Sequence, residues 1–151
     1  GPGRQVMEPF LDQLLADLLR VGLAFALALP IGWERGKGRN SVGFRTLPIV
    51  AMAACGFTLV IRFDDPRAAE AQARILQGVI TGIGFIGGGA ILKEGQTVRG
   101  LVTAASIWNA GAIGAAVGLG RVHVAVILSA VNFLALLILD RFQRDSGDRA
   151  E

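Results

Sequence analysis

The sequence has no tyrosine, a single cysteine (Cys55) and a single histidine (His123). One cysteine excludes an internal disulfide, and Cys55 with His123 leaves two ligands of a tetrahedral zinc site unsupplied. Cys55 falls in the middle of an apolar run and reads as a small packing residue. The histidine opens the last apolar run, so no Ser/His/Asp or Cys/His set is available for nucleophilic catalysis. Acid is scarce as well: Gly95 to Leu139 contains no Asp or Glu. Paired-carboxylate chemistry therefore has no second member inside any one apolar run. These absences argue against an enzyme, and no metal or cofactor is expected.

The same scarcity decides the meaning of TGIGFIGGGAILKEG (residues 81–95). Gly82-x-Gly84-x-x-Gly87 has the spacing of a dinucleotide-binding turn. Such a turn needs a buried strand before it, a helix after it and an acid about 20 residues further on to hold the ribose. Residues 75–92 form one uncharged run instead, and the acid is missing. The glycines serve something else.

What is abundant is apolar surface. The 151 residues are 52% hydrophobic and 18% charged, with a mean hydropathy of +0.54, too apolar for an ordinary soluble domain. Five segments carry no charge: Val21–Trp33, Thr46–Ile61, Ile75–Leu92, Gly100–Gly120 and Val122–Leu139. A bilayer-spanning helix takes about 20 apolar residues. The last three reach that directly, the second with its ends in the interface, and the first by extension back to about Leu14 through Asp17 and Arg20. The expectation is an all-α polytopic bundle of five transmembrane helices. Residues 1–6, GPGRQV before Met7, read as a protease-and-vector remnant. Residues 7–140 form the membrane domain and 141–151 a short cytoplasmic tail. No cleavable signal peptide is expected, because the first apolar stretch has an acidic leader.

The net charge of +3 is dispersed over short loops, which speaks against nucleic acid as a partner. Arg35, Lys37, Arg39, Arg45, Lys93, Arg99, Arg141, Arg144 and Arg149 face one side; Arg20, Arg62, Arg67, Arg74 and Arg121 face the other. The positive-inside rule then puts the N-terminus outside and the C-terminus in the cytoplasm.

Along the chain, Asp17 and Arg20 share a helical face near the outer boundary, where they can pair or snorkel. Pro30 predicts a kink before Trp33; Thr46 can cap span two, with Pro48 in its first turn. Asp64 and Asp65 in the outer loop have arginine neighbours that disfavour a cation. Gly78 and Gly82 share one stripe of span three, Gly84 and Gly88 lie elsewhere on it, and small-xxx-small faces let helix backbones meet. Span three is therefore expected at the centre of the bundle, gripped by two partners, with Gly111 and Gly118 of span four packing tightly against it. Trp108 and Asn109 in span four and Asn132 in span five are intramembrane polar or aromatic groups; the asparagines are placed to bond between helices. Glu34, Arg35, Arg45, Lys93, Glu94 and Arg99 fall at inner span ends. They are expected to gather into a cytoplasmic rim in which Glu34 pairs with Arg45 or Arg99.

The residues GFRT (43–46), ARILQGVITGIGFIGGGAILKEG (73–95) and VRGLVTAASIWNAGAIGAAVGLG (98–120), with Gly32-Trp33-Glu34-Arg35 before them, resemble the MgtC/SapB family of bacterial inner-membrane proteins. The resemblance runs from about Asp12 to Asp140. It implies a multi-pass, five-helix domain with an outside N-terminus. It also implies a link to growth under magnesium limitation and, in pathogens, to survival inside macrophages and virulence. Thr97 and Val102 stand where the family pattern carries asparagine, and prominent members continue into a soluble cytoplasmic domain. Two functions follow as expectations. The first is a non-enzymatic regulator or adaptor working through membrane-protein contacts: a homo-oligomer, a dimer first, with ATP synthase as the further partner the resemblance suggests. The second is a small transporter or channel component for magnesium or another ion, built on a third helix broken at Gly87–Gly89.

Overall fold

The computed structural model describes residues 2–37, 42–61 and 67–147. They form α1 (Pro2–Gly36), α2 (Val42–Leu59), α3 (Ala68–Gly89), a hairpin of β1 (Leu92–Glu94) and β2 (Thr97–Arg99), α4 (Leu101–Gly118) and α5 (Val122–Gly147). Arg39, Arg62, Asp64, Asp65 and Arg149 lie outside the described residues. The expected all-α, five-helix architecture is present. Among the described residues, three helices are long and apolar enough to cross a membrane: α1 over Met7–Gly36, α4, and α5 over Val122–Leu139. The apolar part of α2, Gly43–Leu59, is shorter. In α3, Glu70 and Arg74 enter the first turns and glycine dilutes the remainder.

Close backbone approaches fix how the helices run. A Cβ added at Gly36 would stand 2.9 Å from Phe44 Cβ, and one at Gly32, a turn earlier, would stand 3.4 Å from Pro48 Cδ, a turn later. Thus α1 and α2 are antiparallel, joined at a tight corner. Gly114 lies on the carbonyl of Ala51, and Gly118, one turn on, lies on Cys55 O and Thr58. Both series advance together, so α2 and α4 are parallel. Gly87 meets the Ala104 carbonyl and Gly111 meets the Ile83 side chain, which makes α3 and α4 antiparallel. Ser129 Oγ donates to Leu27 O at 2.6 Å, and Asn109 Nδ2 to Leu128 O at 3.3 Å. These two bonds tie α5 to α1 and α4.

The centre of this bundle is α4, not α3. The fourth helix touches each of the other four, and from Ala110 to Gly118 every residue except Ala112 is buried. A helix that is apolar all round belongs in a core, and small side chains at Ala104, Ala110, Gly111, Gly114 and Gly118 let its neighbours close in. The third helix buries only Val79, Ile83 and Gly87, a single stripe four residues apart. Its other glycines were expected to be gripped, yet an added Cβ at Gly78, Gly82, Gly84 or Gly88 would meet nothing within 4 Å. Helical periodicity tells which residues share a face; it does not tell which face a neighbour occupies.

Local chemistry explains the ends. After α4, Gly120 adopts φ +74°; Arg121 N–H donates to Ala116 O and Gly120 N–H to Val117 O, the paired bonds of a Schellman cap. The strands pair Leu92 with Arg99, Lys93 with Val98 and Glu94 with Thr97. Gly95, at φ +61°, is the first of two loop residues, the place where a type II′ hairpin turn calls for glycine. At the base of the hairpin, Gly100 combines φ +87° with an Ala90 carbonyl where a Cβ would stand.

In α1, Pro30 lies inside a continuous helix. One expectation about α2 changes. Because α2 begins at Val42, Thr46 is not its cap and Pro48 lies inside the helix, buried. The missing N–H of Pro48 frees the Phe44 carbonyl, and that carbonyl faces Gly32 of α1, where a side chain would be excluded. Likewise α5 continues as helix past 141 to Gly147.

Candidate functional site

The helix directions bring the C-terminal ends of α1 and α3 and the N-terminal ends of α2 and α4 to one end of the bundle. Glu34, Arg35, Arg45, Lys93, Glu94 and Arg99 all stand there. Two groups result. At the α1–α2 corner, Lys37 Nζ donates to Glu34 Oε2 at 2.6 Å. Glu34 therefore takes its partner from three residues further along the chain, just past the end of α1, rather than Arg45 or Arg99, because so near a neighbour reaches it without ordering a second element. Beside it, Trp33 packs edge-on against Phe44, with centroids 5.7 Å apart. Arg35 carries the corner: a Cβ on Gly43 would stand 2.5 Å from its own Cβ. Its Nε is buried without a hydrogen-bond partner among the described residues.

The second group is the hairpin. Lys93, Glu94 and Arg99 are exposed on it, with Leu92 and Val98. Among the described residues, Arg45, Lys93, Glu94 and Arg99 make no ion pair. The charges share an end of the bundle without being knitted into one network, so this end presents free cations above apolar helix surface.

That apolar surface is divided by α3. Between α2 and α3 runs a groove of about 520 Å³, walled by Ile49, Phe57, Ile75 and Ile86 and floored by Gly78 and Gly82. A smaller groove of about 300 Å³ separates α3 from α4 and α5, with Ile80, Trp108, Gly111 and Leu128 in its walls. At 100° per residue, Gly84 and Gly88 fall on the flank of α3 away from α2. Phe85, 86% exposed, points away from the bundle between the two flanks.

Arg20 and Asp17 approach to 3.9 Å, and Gln13 Nε2 donates to Asp17 Oδ1 at 3.0 Å. Asn109 makes the expected interhelical bond; Asn132 makes none among the described residues. Sequence reasoning missed Ser129, whose bond to α1 is shorter than that of Asn109, and the close approaches at Gly43, Gly87, Gly100 and Gly114. No group of three His, Cys, Asp or Glu side chains gathers among the described residues.

With this geometry in view, the relatives become informative. A family model described as the MgtC family matches residues 21–145. An uncharacterised protein of Synechocystis is 38% identical over 123 residues, 82% of this chain and 52% of its own. Protein MgtC of Salmonella typhimurium is 35% identical over 136 residues, 90% of this chain and 54% of its own. Protein SrpB of Synechococcus elongatus is 36% identical over 137 residues, 83% of this chain and 74% of its own. The chain thus spans about half the length of the first two of these relatives. No solved structure matches. The matched region takes in α2, α3, the hairpin and α4 whole, so the rim, both grooves and the small-residue core lie inside it: this membrane protein belongs to the MgtC family.

Proposed function

We propose that the protein is a non-enzymatic adaptor of the bacterial inner membrane, multi-pass with its N-terminus outside. It acts by docking another membrane protein, or a second copy of itself as a dimer, against α3. The observation that carries this reading is the contrast within α3: one stripe is buried, while Gly84 and Gly88 leave open space beside Phe85, which is 86% exposed. Small residues beside an exposed aromatic allow a partner helix to approach closely while the ring supplies contact area. The free cations of the hairpin, Lys93 and Arg99, orient such a partner at the membrane surface.

Adaptation to low magnesium, and in a pathogen virulence, is then an effect exerted through the partner, ATP synthase among the candidates. Transport has less support. The α3 helix is continuous through Gly87–Gly89 and ends there, so the triplet closes a helix instead of breaking one at mid-membrane. The uncharged spans also offer no carboxylate to a magnesium ion, which keeps its waters unless carboxylates help replace them.

The test is Gly84→Leu, at a position where an added Cβ meets nothing within 4 Å. Growth at low magnesium should be lost while expression and folded yield stay at wild-type levels, and magnesium flux into liposomes should match empty vesicles for both proteins. Magnesium conduction by the purified wild type, or normal growth of a folded Gly84→Leu strain, refutes the adaptor.

A further inference from the structure

The groove between α2 and α3 has ends of unequal charge. On α2 its wall is the stripe Ile49, Ala53 and Phe57, and the same four-residue step extended by one turn reaches Arg45. Arg45 is exposed and has no ion pair among the described residues. At the far end, beyond Ile75, Arg74 is already paired with Glu70 at 2.6 Å. Among the described residues, the corner end thus offers an uncompensated cation and the far end a compensated one, and the trough between them is apolar.

We propose that this groove is a binding site for an anionic phospholipid of the bilayer. One acyl chain lies along Gly78 and Gly82 between Ile49 and Ile86, and the phosphate rests on the Arg45 guanidinium. An apolar helix in the same trough would leave Arg45 facing a low-dielectric surface without a counter-charge, which is costly. A phospholipid supplies apolar chain and anion in the order in which the groove presents them. The charge asymmetry fixes its direction: headgroup at the corner end, chain tip towards Phe57 and Ile75. Absence of a side chain at Gly78 and Gly82 keeps the trough deep, which gives the flank of α3 facing α2 a purpose separate from the Gly84–Gly88 flank. This inference rests on the protein being embedded in a membrane and not on the docking role proposed for α3.

The test reconstitutes the full chain into liposomes of equal parts phosphatidylglycerol and phosphatidylcholine, extracts it in mild detergent and counts retained lipids by native mass spectrometry. One phosphatidylglycerol per chain is expected, preferred over phosphatidylcholine about fivefold from a single surface arginine. Arg45→Gln should erase the preference. Gly82→Leu, whose Cβ meets nothing within 4 Å and whose longer side chain enters the groove, should remove the retained lipid of either kind while circular dichroism and thermal stability hold. Equal retention by wild type and Gly82→Leu overturns the site, as does an undiminished preference in Arg45→Gln. So does efficient disulfide cross-linking of two copies through cysteines at Ile49 and Ile86 in a Cys55→Ser background, since a second copy would then occupy the groove. Low-magnesium growth is read separately, so failure here leaves the docking proposal standing or falling on Gly84→Leu alone.

Discussion

α3 and α4 draw on the same vocabulary of glycine, alanine and isoleucine, and they use it in opposite ways. In α4 the small residues are places where another backbone or side chain already stands: Ala51 O at Gly114, Ile83 at Gly111, Thr58 and Cys55 O at Gly118. In α3 only Gly87 is such a place; Gly78, Gly82, Gly84, Gly88 and Gly89 are open. A glycine in a membrane helix therefore has two meanings, contact made and contact left available. What separates them is whether the helix is surrounded. The core of the protein is built by the first use and its outward surface by the second.

The comparison breaks most visibly at Gly114. A leucine there must displace the Ala51 backbone, which has no flexible end to yield. Overpacking of a core costs about 1–3 kcal/mol and more at backbone contacts, so Gly114→Leu should give no monodisperse folded protein in detergent, read by size-exclusion chromatography. Next is Gly100→Ala, with a left-handed residue costing about 1–2 kcal/mol before the clash with Ala90 O is added. Thermal unfolding in detergent should fall by several degrees. Gly84→Ala should move the other way: an open mid-helix glycine gives up as much as about 1 kcal/mol relative to alanine. Its melting temperature should hold or rise, and a clear fall would mean that α3 is surrounded after all. The smallest effect is expected at Ser129→Ala, where a single interhelical bond in a membrane averages about 0.6 kcal/mol. A double-mutant comparison with Asn109→Ala would show whether the two α5 bonds act independently.

Five helices were readable from five charge-free runs, and the limits of α4 and the start of α5 followed closely from Gly100, Gly120 and Val122. Gly111 meets Ile83 of α3 as expected, whereas Gly118 meets Thr58 and the Cys55 carbonyl of α2 instead of α3. The same inference failed for Gly78, Gly82, Gly84 and Gly88, since spacing on one helix carries no information about register against another. The hairpin was overlooked because strands of three residues barely show a period of two. Its signal was nonetheless present in Gly95-Gln96 between Leu-Lys-Glu and Thr-Val-Arg. The pair Glu34–Lys37 was also available at helical spacing, acid first, and lost out to partners that looked closer across the rim. Pro48 misled in another way: a proline suggests a first turn, whereas here a glycine on the neighbouring helix makes an interior proline tolerable.

The parallel course of α2 and α4 has a consequence for how the chain comes to be assembled. The surface of α2 that carries Ala51, Cys55 and Thr58 is complete early in synthesis, but the helix shaped to cover it emerges only after all of α3 and the hairpin. Until then that surface faces lipid, and the α1–α2 pair must hold itself together at its glycine corner without help. Insertion of α4 is the step that closes the molecule. A chain interrupted between the hairpin and Gly118 would leave α1, α2 and α3 in the bilayer without the helix they pack against, a natural substrate for membrane quality control.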